Sequence, residues 1–236
     1  MSKKLDNERR ERLEKLAARL GVKFRDITLL DRALTHASYA NEAHRGAEHN
    51  ERLEYLGDAV LELASSTYLY EHFPKLTEGE LTKARAAVVR SATLAKAAQK
   101  LGLGQMLLFG HGEEQSGGRN RATNLEDAFE AVIGAIYLDH GWETARDYVW
   151  RQLSGEMDEV GATEEWRDSK TVLQELAQKE GYKVTYELTG ESGPAHEKSF
   201  TVAVKLQGKI LGEGTAGSKK QAEQLAAKAA LDGWEK

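Results

Sequence analysis

The hydrophobic period changes once along this 236-residue chain, and that single change limits the folds open to it. Up to about residue 153, apolar residues recur at three- and four-residue spacing over 6–20, 50–73, 77–101, 119–139 and 141–157, and alternating runs are absent. Beyond residue 168 the pattern differs. An amphipathic helix at 169–180, ended by Gly181, precedes two alternating strands, Tyr182–Leu188 and Phe200–Leu206. Lys209–Thr215 makes a third, weaker strand, and the alanine-rich stretch Ser218–Trp234 returns to helix. Between the two patterns, SGEMDEVGATEEWRD is polar and acidic, and its later half reads as a linker. The expected organisation is an all-α domain over 1–157, a linker over 158–168, and a small α+β domain of order α-β-β-β-α over 169–236.

Local signals agree with this division. Asn50 is a favoured N-cap for the helix that follows it, and Thr77-x-x-Glu80 reads as a capping box after the break at Pro74. Gly102 and Gly104 end the helix that Thr77 opens. Gly110, Gly112, Gly117 and Gly118 mark a flexible connection, and Ser218-x-x-Gln221 caps the last helix.

Composition narrows the function classes. There are no cysteines, which excludes disulfides and Cys-ligated zinc or iron–sulfur sites. Charged residues make up 30% of the chain and the mean hydropathy is −0.58, as expected of a soluble chain with no spanning segment. The first twenty residues are too highly charged to hold a secretory signal, so the cytoplasm is the expected location. The net charge of −5 argues at first against nucleic acid. However, residues 168–236 hold ten Lys and ten acidic residues, leaving 23 basic and 28 acidic residues in 1–167. The acidity therefore belongs to the helical part, which would need cations to tolerate a polyanion.

The helical part carries two sets of carboxylates. In NERLEYLGDAV, residues 50–60, Glu51, Glu54 and Asp58 fall within roughly 60° of one another on a helix. Leu53, Leu56 and Val60 take the opposite side. In DAFEAVIGAIYL, residues 127–138, the only charges are Asp127 and Glu130, three apart on one face that Gly134 continues. A glycine there lets a second helix or a substrate backbone approach closely. Stacked carboxylates repel one another unless a cation compensates them, and a buried one without a partner is costly. Spacing alone leaves two readings open, a divalent-metal site and an ordinary solvated stripe. None of the seven histidines forms Glu-x-x-His or His-Glu-x-x-His, and His36 and His49 read as structural. No P-loop, dinucleotide fingerprint or nucleophile elbow is present.

The wording of these segments decides between the readings. NERLEYLGDAV resembles the signature of the ribonuclease III family, and the Asp-x-x-Glu pair at 127–130 resembles the pair that the family sets on a facing helix. The resemblance implies that Glu54, Asp58, Asp127 and Glu130 are metal ligands for Mg²⁺, with Mn²⁺ able to substitute, and that Asp58 and Glu130 are the most indispensable in catalysis. It implies an accessory role for Glu51 near a homodimer interface. Glu78 also matches a family position near the cleavage site, although an acid in a helix's first turn is accounted for by the dipole. In the approach SGGRNRATNLEDAFEA, Asn124 and Glu126 depart from the family's commoner apolar or small residues.

The second domain resembles the double-stranded RNA-binding domain. Lys219 and Lys220 occupy the first turn of its last helix, where the dipole disfavours cations and where free N–H groups attract phosphate. The motif GSKKQAEQLAAKAAL matches the family, which implies RNA contacts from Ser218, Lys219 and Lys220. The same resemblance implies minor-groove contacts from Gln174 and Gln178, one turn apart, and from His196 in the GPAH loop, all reading A-form shape. The expectation is a Mg²⁺-dependent endoribonuclease for double-stranded RNA, working as a homodimer and leaving 5′-phosphates and short 3′ overhangs. Its expected substrates are ribosomal RNA precursors and other structured transcripts. The competing reading is a catalytically silent RNA-binding regulator, which would be free to lose the carboxylates that this chain retains.

Overall fold

The computed structural model describes residues 5–43, 48–162, 169–194 and 198–234. Contacts divide the chain into two compact units that part between Thr163 and Glu164. In the first unit the described α-helices are α1 (Asn7–Leu20), α2 (Ile27–Ala33), α3 (Ala37–Ala43), α4 (Glu51–His72), α5 (Glu78–Val88), α6 (Ser91–Leu101), α7 (His111–Gln115), α8 (Ala122–His140) and α9 (Trp142–Ala162). The second unit holds α10 (Ser169–Lys179), β1 (Val184–Ser192), β2 (Ser199–Leu206), β3 (Lys209–Ala216) and α11 (Lys219–Trp234). The expected all-α part followed by α-β-β-β-α is therefore observed.

Helix α8 organises the first unit because its sequence leaves almost no polar side. Leu125, Ala128, Phe129, Ala131, Val132, Ile133, Ala135 and Ile136 are all buried, as a helix apolar all round must be. It packs against α2, α4, α6 and α9. Its contact with α4 is unusually close. A Cβ on Gly57 would lie 1.8 Å from the carbonyl oxygen of Glu130, and one on Gly134 would lie 2.2 Å from that of Leu53. The two backbones touch where each helix lacks a side chain. At the far end of α8, the buried Asp139 accepts from the N–H groups of Arg25 (2.7 Å) and Asp26 (2.9 Å), tying the helix to the start of α2.

Several helix limits differ from the sequence reading. The stretch 77–101 is two helices, because Val89 closes α5 and Arg90 turns to an extended conformation with ψ 148°. The β-branched pair Val88–Val89 weakens helix propensity there, and the turn lets Val88 and Leu94 both reach the core. Helices α2 and α3 lie in 21–49, which shows no long apolar period. Asn50 is helical, with φ −73° and ψ −24°, and its side chain makes no capping bond. It is held instead by its own N–H, which donates to Thr35 O at 2.9 Å. The linker expected from residue 158 begins later, since α9 continues to Ala162 and buries Met157 on the core. The Thr77–Glu80 capping box is complete.

In the second unit the sheet has the order β1-β2-β3, antiparallel throughout. The two-residue turn between β2 and β3 uses Gln207 (φ 49°) and Gly208 (φ 82°), the positive-φ pair that a tight hairpin requires. β1 runs on to Ser192, past an irregularity between Leu188 and Gly190, and so outlasts the stretch that alternates. Helix α11 lies on β3 with its alanines inward: Ala222, Ala226, Ala227 and Ala230 are buried. A Cβ on Gly214 would stand 2.3 Å from the amide nitrogen of Ala226, so the weak look of the third strand reflects room left for a helix. Ser218 accepts from Gln221 N–H at 3.3 Å as expected, while the Gln221 side chain bonds the Ser218 hydroxyl rather than its backbone.

The close α4–α8 contact makes a direct prediction. Gly57→Ala should destabilise the protein by about 3 kcal/mol or more, because backbone rather than a flexible side chain occupies the space. Gly155→Ala, where a Cβ meets nothing within 4 Å on a helix, should be neutral or slightly stabilising. Thermal melts of the two variants check this.

Candidate active site

The Gly57–Glu130 contact carries the acidic stripe of α4 onto the acidic face of α8. Glu130 is buried at 9% exposure, Glu54 and Asp127 are half-buried, and Asp58 is exposed. Burial pushes the Glu130 carboxyl up to about 8, with the charges of Asp58, Glu126, Glu54 and Asp127 adding to the effect. Asp127 is pushed up to about 6, by burial first and then by Glu126 and Glu51. Glu54 is raised by burial and by Asp127, Glu51, Asp58 and Glu126. The structure thus brings Glu54, Asp58, Asp127 and Glu130 within electrostatic reach of one another, with Glu51 at the margin.

No counter-cation is seen among the described residues. Among the described residues none of these four carboxylates forms an ion pair with Lys, Arg or His. Elsewhere in the unit carboxylates are paired: Glu113 with Arg121, Glu114 with Arg119, and Asp31 with Arg9. A buried Glu130 and half-buried Glu54 and Asp127, all raised and left without a cation among the described residues, fit a divalent metal, and hard oxygen donors fit Mg²⁺. Among the described residues no three such side chains already stand close enough to enclose an ion. Rotation of the exposed or half-buried side chains would have to complete the coordination.

The residues around the cluster sort clearly. Glu51 stands 3.7 Å from His49 Nδ1. His36 bonds Ser38 and packs on Phe109, and burial lowers its basicity. Glu78 accepts from the Thr82 hydroxyl at 3.1 Å in the first turn of α5. The buried Asn124 donates to Glu113 at 2.8 Å and to Gly118 O at 3.1 Å, which explains an amide where the family favours smaller or apolar side chains. Glu126 is the residue that sequence reasoning underrated. Its spacing to Glu130, i to i+4, was the available signal.

In the second unit Gln174 and Gln178 are exposed one turn apart on α10, and Lys219 and Lys220 are exposed in the first turn of α11. Lys219 Nζ lies over the Phe200 ring at 5.6 Å, which holds that ammonium at the start of the helix. Ser218 spends its hydroxyl on the cap. His196 lies outside the described residues.

A helical unit bearing facing carboxylates, followed by an α-β-β-β-α unit with lysines at a helix start, defines a nuclease joined to a duplex-RNA binding module. Comparison with known proteins bears this out. The Ribonuclease-III-like family model matches residues 26–157, and the double-stranded RNA binding motif matches residues 169–233. Ribonuclease 3 of Desulforamulus reducens is 52% identical over 224 residues, covering 94% of this chain and 91% of that protein. Ribonuclease 3 of Geobacillus kaustophilus is 46% identical over 239 residues, with 98% and 97% covered. Among solved structures, the nuclease domain of ribonuclease III from Campylobacter jejuni aligns with a TM-score of 0.57 and 43% identity, over 61% of this chain and 97% of that one. The chain belongs to the ribonuclease III family. It is an endoribonuclease that acts on double-stranded RNA.

The raised carboxyls predict how the metal-free protein responds to pH. In the unfolded chain Glu130 loses its proton near the ordinary value of 4.5, whereas in the fold it keeps it up to about 8. The folded state therefore binds more protons between these values, and stability falls as pH rises from about 5 to about 8. Glu130→Gln should remove much of that slope and raise the metal-free Tm at pH 8 by several degrees, at about 2–4 °C per kcal/mol. Calorimetry with chelator present, at pH 5.5 and pH 8, measures both effects.

Proposed function

We propose that this protein cleaves duplex RNA by Mg²⁺-dependent hydrolysis, with Mn²⁺ able to substitute, leaving 5′-phosphate and 3′-hydroxyl ends with short 3′ overhangs. The observation that carries this reading is the cluster of Glu54, Asp58, Asp127 and Glu130, in which Glu54, Asp127 and Glu130 are raised in pKa by burial and neighbouring charge and none of the four pairs with a cation among the described residues. In this reading all four hold the metal, and Asp58 and Glu130 are the catalytic pair. Bound Mg²⁺ would supply charge neutralisation at the phosphodiester and a lowered pKa for the attacking water. Glu130, inside an apolar helix, sits where water is scarce and a lost charge interaction is most costly. Asp58, on the exposed side, faces the region that a substrate backbone can reach.

The same reading makes the active form a homodimer. Helix α4 exposes Tyr55 at 82%, Leu63 at 55% and Tyr70 at 72%. These fall within roughly 80° on the helix, next to the acidic stripe. Such a stripe of large apolar side chains is what a two-fold, self-complementary contact uses, and Glu51 lies at its border. The Campylobacter jejuni nuclease domain has a region involved in dimer formation, which supports the proposal. One site per copy would cut one strand, so two copies are needed for both.

Residues 169–234 would supply most of the affinity for the duplex. Lys219 and Lys220 bind phosphate at the N-terminus of α11 together with Ser218, while Gln174, Gln178 and His196 read the minor groove. The natural substrates on this reading are ribosomal RNA precursors and other structured transcripts in the cytoplasm. Among the described residues no helix is long and apolar enough to cross a membrane.

Two experiments test the proposal. A labelled duplex incubated with Mg²⁺ should be cut by the parent, while Glu130→Gln and Asp58→Asn should lose activity by at least about a hundredfold with duplex affinity nearly unchanged. The same samples should sediment as dimers. A Glu130→Gln variant that cuts at the parental rate would sink the assignment, and parental activity from a monomer would sink the paired-site model. The second experiment follows binding by fluorescence anisotropy over a salt series. Lys219→Ala with Lys220→Ala should weaken binding similarly for unrelated duplex sequences and make the slope of log K against log[salt] shallower, by roughly one unit or less per lost contact. Unchanged affinity and slope would remove α11 from the RNA-binding surface.

A further inference from the structure

We infer that Glu126 is an accessory acidic residue of the cleavage site that raises its affinity for divalent cations. The inference rests on the metal-dependent reading above and extends it to an acid beyond the four carboxylates of that reading.

Three observations carry it. On α8, Glu126 precedes Glu130 by four residues and lies roughly 40° from it around the helix, so that Glu130 sits between Glu126 and Asp127. Like charges at this spacing destabilise a helix. Glu126 is also the fifth residue of α8, beyond the first turn where the helix dipole rewards an acid. Finally, Glu126 is half-buried and, among the described residues, has neither an ion pair nor a hydrogen-bonding side-chain partner. Its neighbours are accounted for, since Leu125 is in the core and Asn124 holds Glu113. The charge of Glu126 is felt by Glu54, Asp127 and Glu130 alike. An acid placed there harms the metal-free protein, and only a cation at the cluster turns that cost into a gain. Glu126 acts on the ion through its charge and does not have to ligate it.

The test uses the full chain without RNA and reads metal binding directly, by Mn²⁺ titration followed through electron paramagnetic resonance. Glu126→Gln should weaken Mn²⁺ binding about tenfold, the order expected when one unit charge near a divalent ion is lost. Glu126→Asp, which keeps the charge, should bind within about threefold of the parent. In thermal melts at pH 8, Glu126→Gln should melt higher than the parent in chelator and gain less from added Mn²⁺. Glu130→Gln serves as the reference for the site itself. If Glu126→Gln binds Mn²⁺ like the parent while Glu130→Gln is weakened, Glu126 is a bystander and the inference falls, but the cleavage site stands. If Glu126→Asp is weakened as much as Glu126→Gln, the effect is structural and the inference falls. If Glu130→Gln also binds like the parent, the metal site itself is misplaced.

Discussion

The contact between Gly57 and the carbonyl of Glu130 is the constraint on which the rest of the catalytic unit depends. Two helices whose backbones touch can bring short carboxylate side chains into one cluster. With a Cβ at either glycine the helices would have to part, and the acids on the two faces would separate with them. The apolar surround of α8 then excludes water from Glu130, which amplifies every charge near it. Close backbone packing and a raised carboxyl pKa are thus two consequences of one arrangement. The fold accepts a local cost in stability to hold four acids in reach of one another.

That cost shapes the chemistry. A paired carboxylate, such as Asp31 with Arg9, is satisfied within the protein and has little to offer a ligand. The acids of the α4–α8 cluster have no such partner among the described residues, so on the proposed reading a divalent cation would improve the folded state and the site together. The acidic balance of the first 167 residues, which at first argues against nucleic acid, becomes intelligible on the same terms. A polyanion approaches a negative surface through cations held there, while electroneutral residues 168–236 keep their lysines where phosphate is expected.

The second unit solves a different problem with the same device. Gly212 and Gly214 on β3 leave room for α11 to lie against the strand through its alanines. Close packing of small residues holds the helix at a fixed distance from the sheet. Lys219 and Lys220 stand at its N-terminus against the dipole, a preference that stability alone would not produce. The unit surrenders some stability where an anion is to bind.

Much of this was legible in the sequence because it depends on local periodicity. The change of period near residue 160, the capping box at Thr77–Glu80 and the carboxylate spacing on α4 and α8 need only the geometry of a single helix or strand. The break at Val89–Arg90 was not legible, since a turn that lets both Val88 and Leu94 reach the core is decided by what they pack against. For the same reason α2 and α3 were missed: short helices are fixed by contacts such as Arg25 and Asp26 with Asp139, more than a hundred residues away. Asn50 reads as a cap but is held through its backbone by Thr35. The sequence by itself determined which residues are acidic, apolar or missing a side chain on each helix. Only the tertiary structure decided that Glu126 belongs with the cluster, because its effect is electrostatic and reaches across to a second helix that sequence spacing does not locate.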